Sequence, residues 1–422
     1  EPSAYISHLH IDKLLKALDS FFYLVETKNT YELFKFLMDG DPFTDNRGFR
    51  PEQGLIDVKY EKPVKGARRI ASIVHFAYPT EELRIMDPCL AQGSDTGLRI
   101  LFSRFQAVLA GKTILLSAKN LHKGTIHLSI YLLTADSGEL ERLQKEGRRN
   151  KTTRRIQKAV NLAAKNGAEV ISLGGFTSIL TRNGTQIVPP PSSRITTGNS
   201  LTAGMGIRRM FNEIEKKAHL KEDVNIALVG STGNIGSLIG RELIIKEGYS
   251  RLVLISRRKV SSDMIVKRYR LPEDVQFDQN KILVSTNLSN IQSCNFIVAV
   301  SNSSDPIIFP SHIRSDTQVN IFDVSIPSAV SMDVHQMENV NVIPFTAYAA
   351  LPHDPNYVIS TCLPRGTMFC CMAEGILCAL EDVNYKLTGR IDPEAVDHLV
   401  RLAEKQGLTA GSDLAKSFKK RM

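Results

Sequence analysis

Two stretches of this chain carry residues whose types and spacing suit chemistry. The first is Gly230-Ser231-Thr232-Gly233-Asn234-Ile235-Gly236. It follows the apolar run Ile226-Ala-Leu-Val229 and precedes the helical spacing of Leu238, Ile239, Leu243 and Ile244. Strand, glycine turn and helix in this order form a dinucleotide site. The first glycine permits a tight turn, the second lets the backbone approach a pyrophosphate, and the third lets the helix pack on its strand. The N–H groups and partial positive charge of the helix start face the phosphates.

The next apolar run, Leu252 to Ile255, ends in Ser256-Arg257-Arg258-Lys259, where an NAD site would place an acidic residue for the ribose 2′-hydroxyl. Two arginines and a lysine suit a 2′-phosphate instead, because guanidinium groups bind phosphate oxygens in bidentate fashion. NADPH is the expected cofactor. Val300 and Ser301, in Ala299-Val-Ser-Asn-Ser, and Asp323-Val-Ser-Ile-Pro327 end later strands and are expected to wall the ribose and nicotinamide. The basic loop has a second reading as a solvated turn.

The second stretch is Leu363-Pro-Arg-Gly-Thr-Met-Phe-Cys-Cys-Met-Ala-Glu374 and its continuation to Glu381. Phe369, Met372, Ala373, Ile376 and Leu380 form a helical stripe expected to face the core. Cys371, Gly375 and Cys378 share a neighbouring face of little bulk, with room for a ligand. Cys371 lies near the helix start, where the dipole and Arg365 are expected to lower its pKa. It is a candidate nucleophile, with a small core residue as the other reading.

The elements that must position these groups follow from composition and pattern. The 422 residues are 42% hydrophobic and 23% charged, which excludes a disordered or fibrous chain. That length suits two or three domains. Short apolar runs at Ile70 to Phe76, Thr113 to Ser117, Ile126 to Thr134 and Ala168 to Leu173 alternate with amphipathic stretches, indicating a second α/β layer. The expected organisation is a helical N-terminal module over 1–65, an α/β substrate domain over 66–198, a connecting helix over 199–221, a Rossmann-like doubly wound parallel sheet over 222–345, and a helical segment over 346–422 that carries Cys371 and packs back on the substrate domain. No metal site is expected.

The chain opens on Glu1 with no basic-then-apolar leader, and no apolar stretch is long enough to span a bilayer. Four of the six cysteines, at 362, 370, 371 and 378, are too crowded for a disulfide framework. A cytoplasmic location with reduced thiols is expected. Lys and Arg outnumber Asp and Glu by 53 to 44, for a net charge of +9, which favours an acidic partner.

Four segments together resemble one family. Ser172-Leu-Gly-Gly-Phe-Thr-Ser-Ile179, Thr196-Thr-Gly-Asn-Ser-Leu-Thr-Ala203, Val229-Gly-Ser-Thr-Gly-Asn-Ile-Gly-Ser237 and Met368-Phe-Cys-Cys-Met-Ala-Glu374 are similar, in this order, to signatures of the long-chain acyl-[acyl carrier protein] reductases. The likeness runs over roughly residues 69 to 385. It implies NADPH-dependent reduction of a fatty acyl thioester to an aldehyde, with Cys371 as the acyl-accepting nucleophile. On this reading the oxyanion donors are backbone amides at the start of the Cys371 helix or in the turn of Gly174, Gly175, Phe176, Thr177 and Ser178, which reads equally as a turn ending a strand, and Thr197 and Asn199, with Thr196, border the substrate. Helix capping is an equal reading for the threonines and the asparagine.

The implied donor is an acyl carrier protein, small and acidic, docking on Arg148, Arg149, Lys151, Arg154 and Arg155. No nucleic acid enters the reading, and membrane contact is peripheral at most. The stretch Pro344 to His353 departs from the family, so His353 is a candidate acid by its place in the sequence alone. The competing readings are a shikimate-type or glutamyl-tRNA-type reductase and a non-catalytic NADPH-binding docking module.

Overall fold

The structure, a computed structural model, describes residues 61–80, 95–108, 113–217, 224–344, 348–357, 366–381, 383 and 385–408. Most of the N-terminal module expected over 1–65 lies outside the described residues, as does Arg365. The chain forms two compact units. The first comprises Glu1–Thr196, Leu351–Met368 and Cys378–Asp382; the second comprises Thr197–Ala350, Phe369–Leu377 and Val383–Met422. Residues 346–422 are thus divided between the two.

The first unit is built on a five-stranded sheet: β1 (Arg68–Phe76), β2 (Thr113–Leu121), β3 (Ile126–Asp136), β4 (Val170–Leu173) and β5 (Arg194–Thr196). Their spatial order is β2-β3-β1-β4-β5, with β2 antiparallel to β3 and the other pairs parallel. All four residues of β4 are buried, as expected of a strand covered on both faces. Its helices are α1 (Asp95–Val108), α2 (Ser137–Lys145), α3 (Arg149–Lys165) and the short α4 (Phe176–Leu180). Ile156, Ala159, Val160 and Ala163 of α3 repeat at helical spacing and join Ala71, Ile73, Ile171 and Leu173 in one core.

The start of α3 is unusual in its charge. Its cap position is Arg148, no side chain caps it, and its first turn holds no acidic residue. Basic residues at a helix start oppose the dipole. Arg148, Lys151 and Arg154 are exposed. Arg155 is instead half-buried and paired with Glu139 at 3.5 Å, which removes it from the basic surface expected of this segment.

The second unit opens with α5 (Asn199–Lys217) and continues through β6 (Asn225–Val229), α6 (Asn234–Lys246), β7 (Arg251–Ile255), α7 (Ser262–Tyr269), β8 (Ile282–Ser285), β9 (Phe296–Ala299), β10 (Val319–Asp323), α8 (Met332–His335) and β11 (Val340–Pro344). Six parallel strands lie in the order β11-β10-β9-β6-β7-β8. Counted within the unit this is 3-2-1-4-5-6 read from the other edge, the doubly wound arrangement. The order reverses between β6 and β9, and the glycine turn leaves β6 at that switch point.

Two C-terminal helices follow, α9 (Cys370–Leu380, in this unit as far as Leu377) and α10 (Pro393–Lys405). Ala395, Val396, Leu399, Val400 and Ala403 form the buried stripe of α10. A Cβ on Gly204 would come within 2.4 Å of Val400, so α5 and α10 approach closely only because that position is glycine. No helix among the described residues is long and apolar enough to cross a membrane.

Candidate active site

The glycine turn after β6 takes the form that the motif predicts. Gly230 has a left-handed φ of +90°, and a Cβ there would lie 2.2 Å from the Val300 carbonyl oxygen. A Cβ on Gly236 would lie 2.3 Å from the Gly230 carbonyl oxygen. Gly233 starts α6 without a side-chain cap, so the first turn presents its amides outward. These residues fit a dinucleotide: the positive end of α6 would face the pyrophosphate, and among the described residues no side chain caps it.

The polar residues around the turn divide into structural and open ones. Ser231 is fully buried, and its hydroxyl donates to Ile255 O at 2.9 Å. The Tyr269 hydroxyl donates to Ser231 O at 3.1 Å from behind the turn. The Asn234 side chain bridges Gly389 O and the Ile391 amide at 2.9 and 3.2 Å, fastening the turn to a C-terminal loop. Thr232 and Ile235 are half-buried. Ser256 is buried and donates to Arg258 O at 2.7 Å, shaping a tight bend that leaves Arg257, Arg258 and Lys259 exposed.

At the ends of the neighbouring strands, Val300 and Ser301 are half-buried. The Ser301 amide donates to Ser325 Oγ at 2.9 Å. Asp323 accepts from the Ser325 and Ala329 amides and from Ser328 Oγ, which fixes the loop after β10. Burial pushes its carboxyl up to about 6 against the pull of these bonds.

Cys371 belongs to the same unit as this turn. Among the described cysteines it is the one that is not buried; Cys294, Cys370 and Cys378 are. The low-bulk face expected to leave room for a ligand is closed elsewhere, because Gly375 and Cys378 are buried along with Met372, Ala373, Ile376 and Leu377. A helix apolar on most sides is a core helix, and within α9 the half-buried residues are Cys371 in the first turn and Leu380 at the end.

Gly198, with φ +69°, makes that turn possible. A Cβ on Gly198 would fall 2.0 Å from Cys371 Cα and 2.3 Å from Cys371 Cβ. Glu374, one turn along α9 and fully buried, accepts the Gly198 amide at 2.9 Å and the Leu201 amide at 2.8 Å. A carboxylate from another helix therefore caps α5. The expected lowering of the thiol pKa is reversed: burial, then the charge of Glu374, push Cys371 up to about 12. Thr197 is buried and donates through Oγ1 to Leu387 O at 3.1 Å, whereas Asn199 is half-buried.

The Gly-Gly turn lies in the first unit. His75, at the end of β1, accepts the Phe176 amide through Nε2 at 3.0 Å. That nitrogen is therefore unprotonated, and Nδ1–H donates to Phe76 O at 2.9 Å. Gly175 has φ +54°, and a Cβ there would lie 2.7 Å from His75 Nε2. The Gly174, Thr177 and Ser178 amides donate to Ile73 O, Gly174 O and Gly175 O. Four of the donors expected to face an oxyanion are thus spent inside the protein, and Phe176, Thr177 and Ser178 are buried. His353 is also in the first unit, edge-on to His122 at 4.4 Å. Asp354 beside it accepts the His122 amide at 2.8 Å.

Sequence reasoning missed His75 and Glu374. The signal for Glu374 was a lone acid inside an otherwise apolar helix, one turn after a candidate thiol. His75 left no comparable signal, since a histidine ending a strand is ordinary.

No protein-family model matches the chain. It is 27% identical over 260 residues to aminotransferase PigE of Serratia sp., which covers 60% of this chain and 29% of that one. It is 34% identical over 124 residues to the long-chain acyl-[acyl-carrier-protein] reductase of Synechococcus elongatus, covering 28% and 36%. It is 26% identical over 151 residues to the glutamyl-tRNA reductase of Christiangramia forsetii, covering 36% and 33%. The chain spans about a third of the length of each of these relatives.

A solved structure of similar extent is L-tryptophan dehydrogenase from Nostoc punctiforme, at 12% identity and a TM-score of 0.32, covering 86% of this chain and 89% of that one. So low a score carries no argument, and the fold rests on the sheet order itself. Of these three relatives two are reductases by name.

Proposed function

We propose that the chain is an NADPH-dependent reductase that converts a long-chain fatty acyl thioester, delivered by an acidic acyl carrier protein, to the aldehyde. The observation that carries this reading is Cys371, partly exposed at the first turn of α9 in the unit that also holds the open glycine turn. The Synechococcus relative supports the substrate class over the segment it matches. The cofactor, when bound, supplies a hydride; Arg257 and Arg258 are the residues that favour the 2′-phosphate form.

The residues act as follows. The Cys371 sulfur bonds to the acyl carbon, the bond to the carrier sulfur breaks, and the thiol proton leaves with the departing carrier thiol. The exchange moves one proton from the incoming to the departing sulfur, so none is gained or lost overall. With a hydride supplied to the acyl carbon and one proton taken from solvent, the carbon–sulfur bond to Cys371 would break, freeing the aldehyde and returning the thiol. Arg148, Lys151 and Arg154 offer the exposed charge for the carrier, with Arg149 half-buried beside them.

Intact-mass measurement after adding a long-chain acyl thioester without NADPH tests the reading. One added acyl mass, absent in Cys371→Ala, is expected. No adduct, or an adduct that persists in Cys371→Ala, overturns it and favours the glutamyl-tRNA-type reading, which the match to the Christiangramia enzyme supports.

A further inference from the structure

Glu374 has no part in the reaction as described, yet it is the one acid within a buried, apolar helix turn, and burying a carboxylate costs several kcal/mol unless it is compensated. Its compensation is specific. One oxygen takes the Gly198 amide and the other the Leu201 amide, at 2.9 and 2.8 Å. Gly198 in turn lies against Cys371, so close that a Cβ there would sit 2.0 Å from Cys371 Cα. The carboxylate thus ties down the backbone segment that touches the candidate nucleophile. Capping alone would not require this route, since a serine or aspartate at the start of α5 would serve.

We propose that Glu374 is the positioning residue of Cys371: its carboxylate pins the Gly198–Leu201 backbone against the start of α9 and keeps a buried negative charge one turn from the thiol. This rests on Cys371 being the acyl acceptor, but its consequences can be read without any acyl substrate. Burial first, and then this charge, hold the resting thiol protonated. A protonated thiol resists oxidation and stray electrophiles, which a partly exposed thiolate would not.

The test is the rate of Cys371 alkylation by iodoacetamide against pH, with the site assigned by peptide mass. In the natural protein the rate should rise about tenfold per pH unit across the neutral range, as the thiolate fraction does far below the pKa. Glu374→Gln removes the charge, so alkylation at a fixed pH should be about tenfold or more faster, the factor that one pKa unit represents. Glu374→Asp keeps the charge but is too short to span both amides. Its alkylation profile should stay within about twofold of the natural protein, while kcat for aldehyde formation falls with KM little changed.

An unchanged profile in Glu374→Gln overturns the proposal. So does a Glu374→Asp protein with unaltered kcat, which decides the matter if the glutamine variant does not fold. If no acyl thioester is reduced by any form, the alkylation profiles still stand or fall alone, so failure of the reductase reading is distinguishable.

Discussion

Three described helices of this molecule begin at a glycine after a parallel strand, and those at Gly175 and Gly233 use it in opposite ways. At Gly175 the amides of the first turn are consumed, one by the imidazole of His75 and two by the turn's own carbonyls. At Gly233 no side chain among the described residues caps the helix. A third start, at Gly198, is closed by the Glu374 carboxylate. The local pattern of strand, glycine and helix is shared. What differs is whether a distant residue supplies an acceptor. The helix left without one can take a phosphate, and the helix given one is a structural joint.

The comparison is broken most severely by filling Gly198. Ala at this position meets backbone rather than a flexible side chain and must adopt a left-handed φ. A loss of roughly 3 kcal/mol is expected, which is about 6–12 °C in the unfolding transition of the second unit. Calorimetry that shows an unchanged transition would mean the segment does not lie on α9.

Removing the acceptor at Gly175 should cost less. In His75→Leu the Phe176 amide stays buried with no acceptor, a loss of about 1–3 kcal/mol. The pH dependence gives a second readout. Burial lowers the pKa of His75 in the folded state, so its share of stability is present above about 6.5 and is lost as the pH falls from there toward the folded value, while the unfolded chain takes up the proton. Denaturant midpoints measured from pH 7 down to 5 should fall less steeply in His75→Leu than in the natural protein, and parallel slopes would remove His75 from the joint.

The smallest structural effect is expected beside the open helix. Arg257→Ala with Arg258→Ala alters an exposed bend, so stability should hold. NADPH affinity should fall about tenfold or more by loss of charge-assisted hydrogen bonds, with NADH little affected. Titration that finds equal losses for the two nucleotides would detach the bend from the 2′-phosphate.

The legible part of the site was the part with local causes. Gly233 and Gly236 are set by close approaches within the turn, and although Gly230 is set by Val300 after β9, the spacing of the three announces them. Leu252–Ile255 of β7 and Phe296–Ala299 of β9 are buried apolar runs that read as strands of a parallel sheet from the residues alone. β5 and β2 were less legible. β5 is three residues long, and the antiparallel pairing of β2 depends on its neighbour rather than on its own pattern. The Cys371 environment was misread for the same reason. A dipole argument at a helix start is local, but burial and the Glu374 charge, which outweigh it, depend on how α9 is covered.

The sequence by itself determined the Rossmann unit, its glycine turn, the basic bend after β7 and the place of a cysteine at a helix start, because each follows from periodicity or from steric limits within a few residues. Tertiary structure alone decided which helix starts are open. His75 is 101 residues from Phe176, and Glu374 is 176 residues from Gly198. No propensity or spacing records a hydrogen bond across such distances, so only the folded chain sets the Gly174, Phe176, Thr177 and Ser178 amides aside as structure, while among the described residues no side chain caps α6.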